Sequence, residues 1–443
     1  MSDPSPAPPA RPASVVAFAR EPDTAEFAQA FSITWLSYAT YYLGRKGMSV
    51  AKTAIEEAFG ARAFLGVQTA YLATYALGQF VCGGIGDRIG ARRLIGFGML
   101  ASAAACIAFG CSSLGVLFLV AMMINGLAQS SGWPGNIKAM AEWVPSAQRG
   151  RTMGLWSTCY QVGGIAASFV ATRLLQAYGW RGAFIGPGLL IAVVAGIVLL
   201  GLRRGPLAPP GTATAGEVGY RQRPSSVAAE DDLAKQKREA ARRVLRSFTV
   251  WCYGSSYFCI KLIRYSLLLW LPTYMERVLH YSREDAGYLS TSFEVGGIVG
   301  TIILGLLSDR LRKVPRSLVA AISLVGLAAA LFLYVQIGDS GRIVNFIAMA
   351  LVGALLFGPD ALISAAAAQD VGGPLAAAQA AGIINGLGSI GGVLQEVVTR
   401  EVSARFGWNA LFYVFVGLAL LSAAGLSPTF RGKGARAEEA GAG

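Results

Sequence analysis

The stretch YATYYLGRK, residues 38–46, places Arg45 and Lys46 side by side within the first long apolar segment of the chain. A cationic side chain at the centre of a bilayer costs roughly 2.5–3.5 kcal/mol on insertion scales, so it normally faces a protein interior or a water-filled cavity. The second half of the chain repeats the arrangement with Lys261 and Arg264, and the two arginines lie 219 residues apart in a chain of 443. Arginines at matching positions in two halves are typical of a binding site on a pseudo-two-fold axis.

The arginines also indicate what such a site binds. A planar guanidinium holds two oxygens of a phosphate or carboxylate at once, which favours an anion as the ligand. Neighbouring helix positions point about 100° apart, so one of Arg45 and Lys46 is expected to face the site, and the match with Arg264 favours Arg45. The alternative is that Arg45 and Lys46 extend toward the membrane surface. Lys46 and Lys261 remain further candidates for contact with the anion.

Composition predicts a polytopic membrane protein. The chain is 54% hydrophobic and 14% charged with a mean hydropathy of +0.50, whereas soluble domains carry about 25% charged residues. Apolar segments of spanning length occur near residues 28–50, 62–86, 94–113, 116–140, 151–176, 181–202, 247–275, 285–308, 317–337, 342–368, 375–399 and 408–427. The pattern therefore predicts an all-α membrane protein with twelve transmembrane helices.

Polar segments divide these helices into two bundles of six, residues 27–202 and 247–428. Residues 203–246 are expected to form a linker that is helical near its end, with charges that form either a solvated helix face or, less favoured, a partner-binding patch. Residues 1–26 lack the apolar core of a signal peptide and are expected, like residues 429–443, to be a cytoplasmic tail, the first of them disordered.

The net charge of +13 reflects topology. The tails, the linker and the turns near 87–93, 149–151 and 310–316 hold 24 of the 38 Lys and Arg residues, and the opposite loops hold nine. This bias predicts that both termini are cytoplasmic, and it gives no reason to expect a nucleic-acid partner. The six cysteines lack metal-ligand spacing, and His280 is the one histidine. We expect no metal, no cofactor and no enzymatic activity, since neither a nucleophile–base pair nor a phosphate-binding glycine loop is found.

The two halves repeat in detail. Gly86-Asp87-Arg88 and Ser308-Asp309-Arg310 each lead the turn after the second apolar segment of their half, with the aspartates 222 residues apart. The pair Gly163-Gly164 matches Gly391-Gly392 at an offset of 228, and these pairs are interpreted as close helix contacts. Consistent offsets indicate one ancestral six-helix unit used twice.

Residues 83–93, GGIGDRIGARR, resemble the loop signature of the major facilitator superfamily. Glycines permit a tight turn and close helix approach, and an aspartate there caps a helix end or pairs with a cation. The resemblance implies the major facilitator fold of two pseudo-symmetric bundles. It also implies gating roles for Asp87, Arg88, Asp309 and Arg310.

More narrowly, the chain resembles the organophosphate:phosphate antiporters, which include glycerol-3-phosphate and hexose-6-phosphate transporters. The resemblance is carried by residues 41–46, 125–127, 132–134, 156–164, 264–265, 270–274 and 294–297. It implies that Arg45 and Arg264 bind phosphate in a central cavity that Tyr38, Tyr42 and Tyr75 line.

The chain departs from the glycerol-3-phosphate transporters at several cavity positions. Gln79 replaces a lysine and Tyr160 replaces a histidine, so Lys261 is expected to supply basic character, with Gln161 as a further polar contact. The resemblance implies that Glu294 pairs with the basic site and is released when phosphate binds. Asp360 lies outside the pattern and is interpreted as either a structural ion-pair partner or a proton carrier.

The sequence therefore predicts a secondary transporter of the bacterial cytoplasmic membrane. It would exchange an organophosphate for inorganic phosphate by alternating access, as a monomer whose partners are the anionic substrate and the lipid bilayer. Two alternatives stay open at this point: a proton-coupled symporter of sugar acids or other carboxylates, and a transporter-like sugar-phosphate sensor.

Overall fold

The computed structural model describes residues 24–59, 66–207, 227–311 and 313–430, which form fifteen α-helices. Residues 1–23 and 431–443 of the expected tails, and 208–226 of the expected linker, lie outside the described residues. In the first half the helices are α1 (Thr24–Tyr41), α2 (Leu43–Val50), α3 (Lys52–Phe59), α4 (Val67–Ile89), α5 (Ala91–Cys111), α6 (Gly115–Gln129), α7 (Gly132–Ala141) and α8 (Arg149–Gly201). A linker helix, α9 (Val227–Arg246), precedes α10 (Phe248–Arg277), α11 (Arg283–Arg310), α12 (Arg316–Ile337), α13 (Arg342–Ala361), α14 (Ala368–Phe406) and α15 (Trp408–Leu426).

Several of these helices combine or divide the predicted crossings. Gly179 interrupts α8 with a φ of 68°, and Gly373, directly before Pro374, interrupts α14 with a φ of 57°. Glycine tolerates this left-handed conformation, so each long helix bends there instead of continuing straight. A π-helical turn, Leu362–Ala367, joins α13 to α14. The helices α1 and α2 together form the first predicted crossing, and α6 and α7 together form the fourth. With these assignments the described helices account for all twelve predicted crossings.

Seven stretches of the described chain are long and apolar enough to cross a membrane, and two of them, Ser146–Gly201 and Arg342–Phe406, each contain two predicted crossings. The crossings formed by α1–α2, α4 and α10 are not among the seven. They carry Tyr38, Arg45, Gln79 and Arg264 among other polar residues, so their polarity reflects the site that they line. The all-α membrane architecture is the one that the sequence predicts.

The two bundles, α1–α8 and α10–α15, meet where α4 packs on α14 and α8 packs on α11. Glycine makes these approaches possible: a Cβ at Gly83 would lie 2.9 Å from the Ala378 carbonyl oxygen, and one at Gly154 would lie 2.6 Å from that of Thr301. Within the bundles, Gly163 packs on the backbone of Ala39 and Gly391 on that of Phe258. The predicted glycine pairs are thus helix contacts in both halves.

One end of the molecule gathers the ends of both bundles. Glu26 near the start of α1 pairs with Arg203 after α8 at 3.1 Å, and the Ser317 hydroxyl donates to the carbonyl of Thr429 at 3.3 Å. The linker helix α9 packs on α14 and α4 at this same end. We call it the linker end, and the inter-bundle glycine contacts at Gly83 and Gly154 lie in the half of the molecule nearest to it.

Candidate anion-binding site

Three of the predicted cations come together between the bundles. The Arg45 guanidinium lies 5.3 Å from the ring centre of Tyr75, and the Lys261 ammonium lies 5.9 Å from the same ring. Lys261 and Arg264 in turn share the ring of Tyr265, at 5.9 and 5.0 Å. Aromatic faces attract cations, so these two tyrosines link the charges contributed by α2 and α10.

Arg45 is oriented by a polar network on α6. Its Nε donates to Gln129 Oε1 at 2.8 Å, and the Tyr71 hydroxyl donates to the same oxygen at 2.8 Å. Gln129 Nε2 donates to Asn125 Oδ1 at 3.2 Å. Arg45 also lies 4.4 Å from the ring centre of Tyr42, and its buried Nη2 has no hydrogen-bond partner within the described residues. The guanidinium is therefore fixed through Nε and keeps a donor for a ligand.

Gln129 was not among the predicted site residues. It follows Asn125 by one helical turn in a segment that is otherwise apolar, and that spacing places both amides on one helix face. The recurrence of two amides in an apolar helix is the sequence signal that would have found it.

Arg264 is held by a carboxylate. Its Nη1 donates to Asp360 Oδ2 at 2.7 Å, and the Tyr160 hydroxyl donates to the same oxygen at 3.0 Å. Asp360 is fully buried, and its Oδ1 has no partner among the described residues. Phe357 and Tyr160 flank the guanidinium at 5.6 and 5.2 Å. Tyr160 and Asp360 thus both lie beside Arg264, with Asp360 as its ion-pair partner.

Lys261 faces α14. Its Nζ donates to Asn385 Oδ1 at 2.6 Å and to Ser389 Oγ at 3.0 Å, and the side chain is 3% exposed. Two neutral acceptors orient the ammonium without cancelling its charge, so a protonated Lys261 presents that charge to an anion. Asn385 and Ser389 were not predicted, because no pattern on α14 distinguishes them from other polar residues.

Two buried glutamines lack partners. Gln79 on α4 and Gln161 on α8 each have a side-chain nitrogen and oxygen without a hydrogen bond in the described part of the chain. Leaving a buried polar group unsatisfied costs about 1–3 kcal/mol, so such groups mark places where a polar ligand or water belongs. Tyr38 packs instead, with its ring centre 5.0 Å from Trp133 and 5.7 Å from Trp156.

Lys46 and Glu294 lie at the margin of the site. Both are half-buried, and Glu294 is within electrostatic range of Lys46 and Arg264. The expectation that Glu294 pairs with the basic residues is not met, since no ion pair within 4.0 Å involves it among the described residues and Arg264 pairs with Asp360. Asp360 takes this place because α13 presents it directly to Arg264.

The charges of the site can be added. Arg45, Lys261 and Arg264 contribute three positive charges, and Asp360 contributes one negative charge, when each has its ordinary protonation state. Lys46 and Glu294 cancel one another. The result is a net charge of +2 in a largely buried site that retains unpaired donors, and a phosphate dianion would neutralise it.

The predicted gating aspartates bridge the bundles at the linker end. Asp87 on α4 accepts hydrogen bonds from Lys138 Nζ at 3.0 Å and from the backbone nitrogens of Gln379 at 2.8 Å and Ala378 at 3.3 Å. These amides begin the straight part of α14 after its bend, so Asp87 caps a helix of the opposite bundle. Lys138 also donates to the Pro374 carbonyl at 3.1 Å.

Asp309 makes the equivalent contact from the other half. It accepts from the backbone nitrogens of Gly150 and Arg151, at 2.9 and 2.7 Å, and thereby caps α8. Arg316 donates to Asp309 at 2.9 Å and to Asp370 at 2.8 Å. Four hydrogen bonds from helix-start amides therefore close the linker end in a pseudo-symmetric way.

Arg88 and Arg310 do not take part in this closure. Both are exposed, and neither forms a hydrogen bond or ion pair within the described residues. Each directly follows its aspartate on a helix, so it points about 100° away from the interface that the aspartate faces. The cations that replace them are Lys138 and Arg316, which come from other segments.

Comparison with known proteins agrees with the predicted fold and family. The profile of the Major Facilitator Superfamily matches residues 34–395. Putative glycerol-3-phosphate transporter 2 of Arabidopsis thaliana is 31% identical over 89% of this chain and 84% of its own length. Sugar phosphate exchanger 3 of Gallus gallus is 33% identical over 82% of this chain and 78% of its own. These relatives confirm the predicted resemblance to organophosphate transporters.

Solved structures confirm the fold alone. The crystal structure of the Major Facilitator Superfamily transporter FucP in the outward conformation has a TM-score of 0.68 at 15% identity, and covers 92% of this chain and 100% of that one. The human organic anion transporter MFSD10 has a TM-score of 0.66 at 15% identity, over 90% and 99% of the two chains.

Proposed function

Because the chain belongs to the Major Facilitator Superfamily, we propose that it is a secondary transporter that exchanges an organophosphate for inorganic phosphate. The exchange proceeds by alternating access around Arg45, Lys261 and Arg264. The relatives named as glycerol-3-phosphate transporters and sugar phosphate exchangers support this substrate class. The observation that carries the proposal is the cluster of Arg45, Lys261 and Arg264 with Asp360 in a largely buried site, whose formal charge of +2 matches that of a phosphate monoester or of inorganic phosphate.

The same charges account for obligatory exchange. Without substrate the site retains two uncompensated charges, which oppose its passage through a closed, low-dielectric state. A bound dianion cancels them, so the loaded carrier changes conformation more readily than the empty one. The carrier then returns only with a second anion, and the gradients of the two anions drive the flux.

Asp360 sets the net charge that the site carries during the exchange cycle. It neutralises Arg264 while leaving the charges of Arg45 and Lys261, and Tyr160 donates to the same carboxylate oxygen. When the anion binds, the remaining guanidinium nitrogens of Arg264 and the free Nη2 of Arg45 hold its oxygens. Gln79 and Gln161 provide further hydrogen bonds to the anion.

The closed linker end defines one state of the cycle. Asp87 and Asp309 must release the amides that they cap before the bundles can rock apart at this end. The excess of Lys and Arg at the linker end supports a cytoplasmic orientation for this end and for both termini, and the membrane proposed is a bacterial cytoplasmic membrane. Each chain contains a complete site, so the proposed working unit is the monomer.

Counterflow of radiolabelled phosphate tests this function. Purified protein is reconstituted in liposomes that contain unlabelled phosphate, and labelled phosphate is added outside without a proton gradient. We expect rapid exchange that externally added glycerol 3-phosphate or a hexose 6-phosphate inhibits. Absence of exchange in liposomes where the protein is folded and correctly inserted would contradict the proposal.

Asp360 also favours a second candidate function, proton-coupled uptake of an organic anion. A fully buried carboxylate with one unpaired oxygen, in contact with the substrate-binding arginine, is placed where a coupling proton could bind. In that mechanism Asp360→Asn abolishes accumulation driven by an imposed proton gradient.

For the exchanger we predict a different result for Asp360→Asn. Breaking a buried ion pair from one side costs about 3–5 kcal/mol, so the variant should melt at a lower temperature and exchange phosphate slowly at every proton gradient tested. Glu396→Gln is the control, because its pair with Arg400 at 2.9 Å is exposed and contributes about 0–1 kcal/mol. Phosphate accumulation in the wild type that follows the proton gradient would favour the symporter.

Gln129→Ala is expected to weaken phosphate binding although Gln129 itself does not contact the anion. It removes the acceptor of Arg45 Nε and Tyr71, and a hydrogen bond to a charged group is worth about 1.5–3 kcal/mol, so the half-saturating phosphate concentration should rise about tenfold or more. Tyr71→Phe removes only the bond between neutral groups and should have a smaller effect. Equal effects of the two variants in equilibrium binding of labelled phosphate would show that Gln129 does not orient Arg45.

A further inference from the structure

A second group of cations lies at the linker end, apart from the anion-binding site. A cavity of about 900 Å³ lies between the end of α4, the start of α5, α7 and the linker helix α9. Nine of its lining residues are Lys or Arg and two are Asp or Glu, so the described wall carries a net charge of +7. It shares no residue with the cluster of Arg45, Lys261, Arg264 and Asp360.

The linker helix contributes one defined face to this cavity. Lys237, Arg238 and Arg242 line it together with apolar residues at helical spacing, whereas Lys235 and Arg243 on the same helix do not. The charges of the linker therefore divide into a solvated face and a face turned toward the first bundle. The sequence pattern alone favours the solvated face and does not reveal this division.

The cations of the cavity are close enough to repel one another. Burial, together with the charges of Lys138 and Arg204, lowers the pKa of Lys237. Glu142 compensates only in part, at 3.9 Å from Lys138 and 3.8 Å from Arg204. Like charges held together in a partly desolvated space favour the binding of an anion. The cavity is therefore suited to a ligand of high negative charge.

We propose that this cavity binds a phosphate-bearing anion, and that the bound anion stabilises the conformation in which the linker end is closed. The wall includes Asp87 and Lys138, which form the latch between the bundles, and Gln379 of the second bundle, whose amide Asp87 caps. The helix α9 contacts α14 as well as α4. The wall is complete only while the bundles are together at this end, and a ligand that binds one state shifts the population toward it.

Phosphate groups reach this position from two sources. A phosphorylated solute enters from the solvent, and the headgroup of an anionic lipid enters from the membrane surface beside α4 and α5. Both present several oxygens with concentrated negative charge, which lysine and arginine recognise in the same way. The inference does not depend on the substrate of the anion-binding site.

Matched pairs of substitutions on α9 test the inference. Lys237→Gln with Arg242→Gln removes two cations from the cavity, and Lys235→Gln with Arg243→Gln removes two cations of the same helix that do not line it. Full-length protein in phosphatidylcholine nanodiscs is titrated with pyrophosphate by calorimetry. In parallel, the melting temperature is measured as phosphatidylglycerol replaces phosphatidylcholine.

We expect the cavity pair to weaken pyrophosphate binding about tenfold or more, since each lost charged hydrogen bond has about that effect, and the control pair to bind like the wild type. Pyrophosphate on the linker side should also inhibit phosphate counterflow in the wild type and control, and much less in the cavity pair.

If the difference between pairs is seen only with phosphatidylglycerol, the phosphate belongs to a lipid. Identical titrations of both pairs with both probes would overturn the inference. Failure of basal counterflow in all three proteins would instead count against the exchange function, and the binding comparison would still stand.

Discussion

Arg45→Lys and Arg264→Lys are each expected to lower phosphate exchange by about 10- to 150-fold, which corresponds to the loss of one charged hydrogen bond worth about 1.5–3 kcal/mol. Lysine keeps the charge, so the electrostatic attraction for a dianion is preserved. It loses the planar fork that holds two phosphate oxygens. At position 264 it must also replace the 2.7 Å bond to Asp360 and the contact with the ring of Tyr265.

The matched control is Arg181→Lys. Arg181 Nη1 donates to the carbonyl oxygens of Gly110 and Ser112 at 2.9 and 2.7 Å, so this change also removes arginine-specific hydrogen bonds, but outside the anion-binding site. Exchange rates and equilibrium binding of labelled phosphate are measured for all three variants. An exchange rate in Arg181→Lys as low as in the two site variants would mean that loss of stability, and not loss of the phosphate contact, explains the effect.

The sequence predicted the cations of the site because membrane insertion makes them conspicuous. An arginine within an apolar segment has few explanations, and its repetition at Arg264 identifies a shared axis. The twelve crossings were predicted for the same reason, since apolar length is a local property. The bends at Gly179 and Gly373 follow from glycine and proline, although their positions within continuous helices were not predicted.

Partners were harder to predict than the charges themselves. Arg264 pairs with Asp360 rather than Glu294 because of how α13 is placed against α10, which no local pattern encodes. Gln129 and Asn385 are ordinary polar residues whose importance comes from the cation that each one orients. Arg88 was assigned to the gate because it adjoins Asp87, yet helix geometry turns it outward and Lys138 pairs with Asp87 instead.

Asp87→Asn is expected to open the linker end. The substitution leaves Lys138 without its 3.0 Å ion-pair partner in a site where both side chains are almost fully buried, and it removes the charge that caps α14. Breaking such a pair from one side costs about 3–5 kcal/mol, which is enough to shift a two-state equilibrium by about 100-fold or more. We therefore expect a predominantly open linker end and much slower exchange, because the carrier no longer returns to the state closed there.

Arg88 and Arg310 provide the measurement, because they are exposed, belong to different bundles and form no hydrogen bond or ion pair with another described residue. Spin labels at Arg88→Cys and Arg310→Cys, with exposed Cys111 replaced by serine, report the distance across the linker end. Asp285→Asn is the control, since it breaks a 2.6 Å pair with Arg342 within the second bundle at the opposite end.

Asp309→Asn should give the same opening as Asp87→Asn, because each aspartate caps a helix of the other bundle. An unchanged distance in both would mean that glycine packing at Gly83 and Gly154, rather than the capped helix ends, holds the linker end closed, and the gate would then have to be sought in that packing.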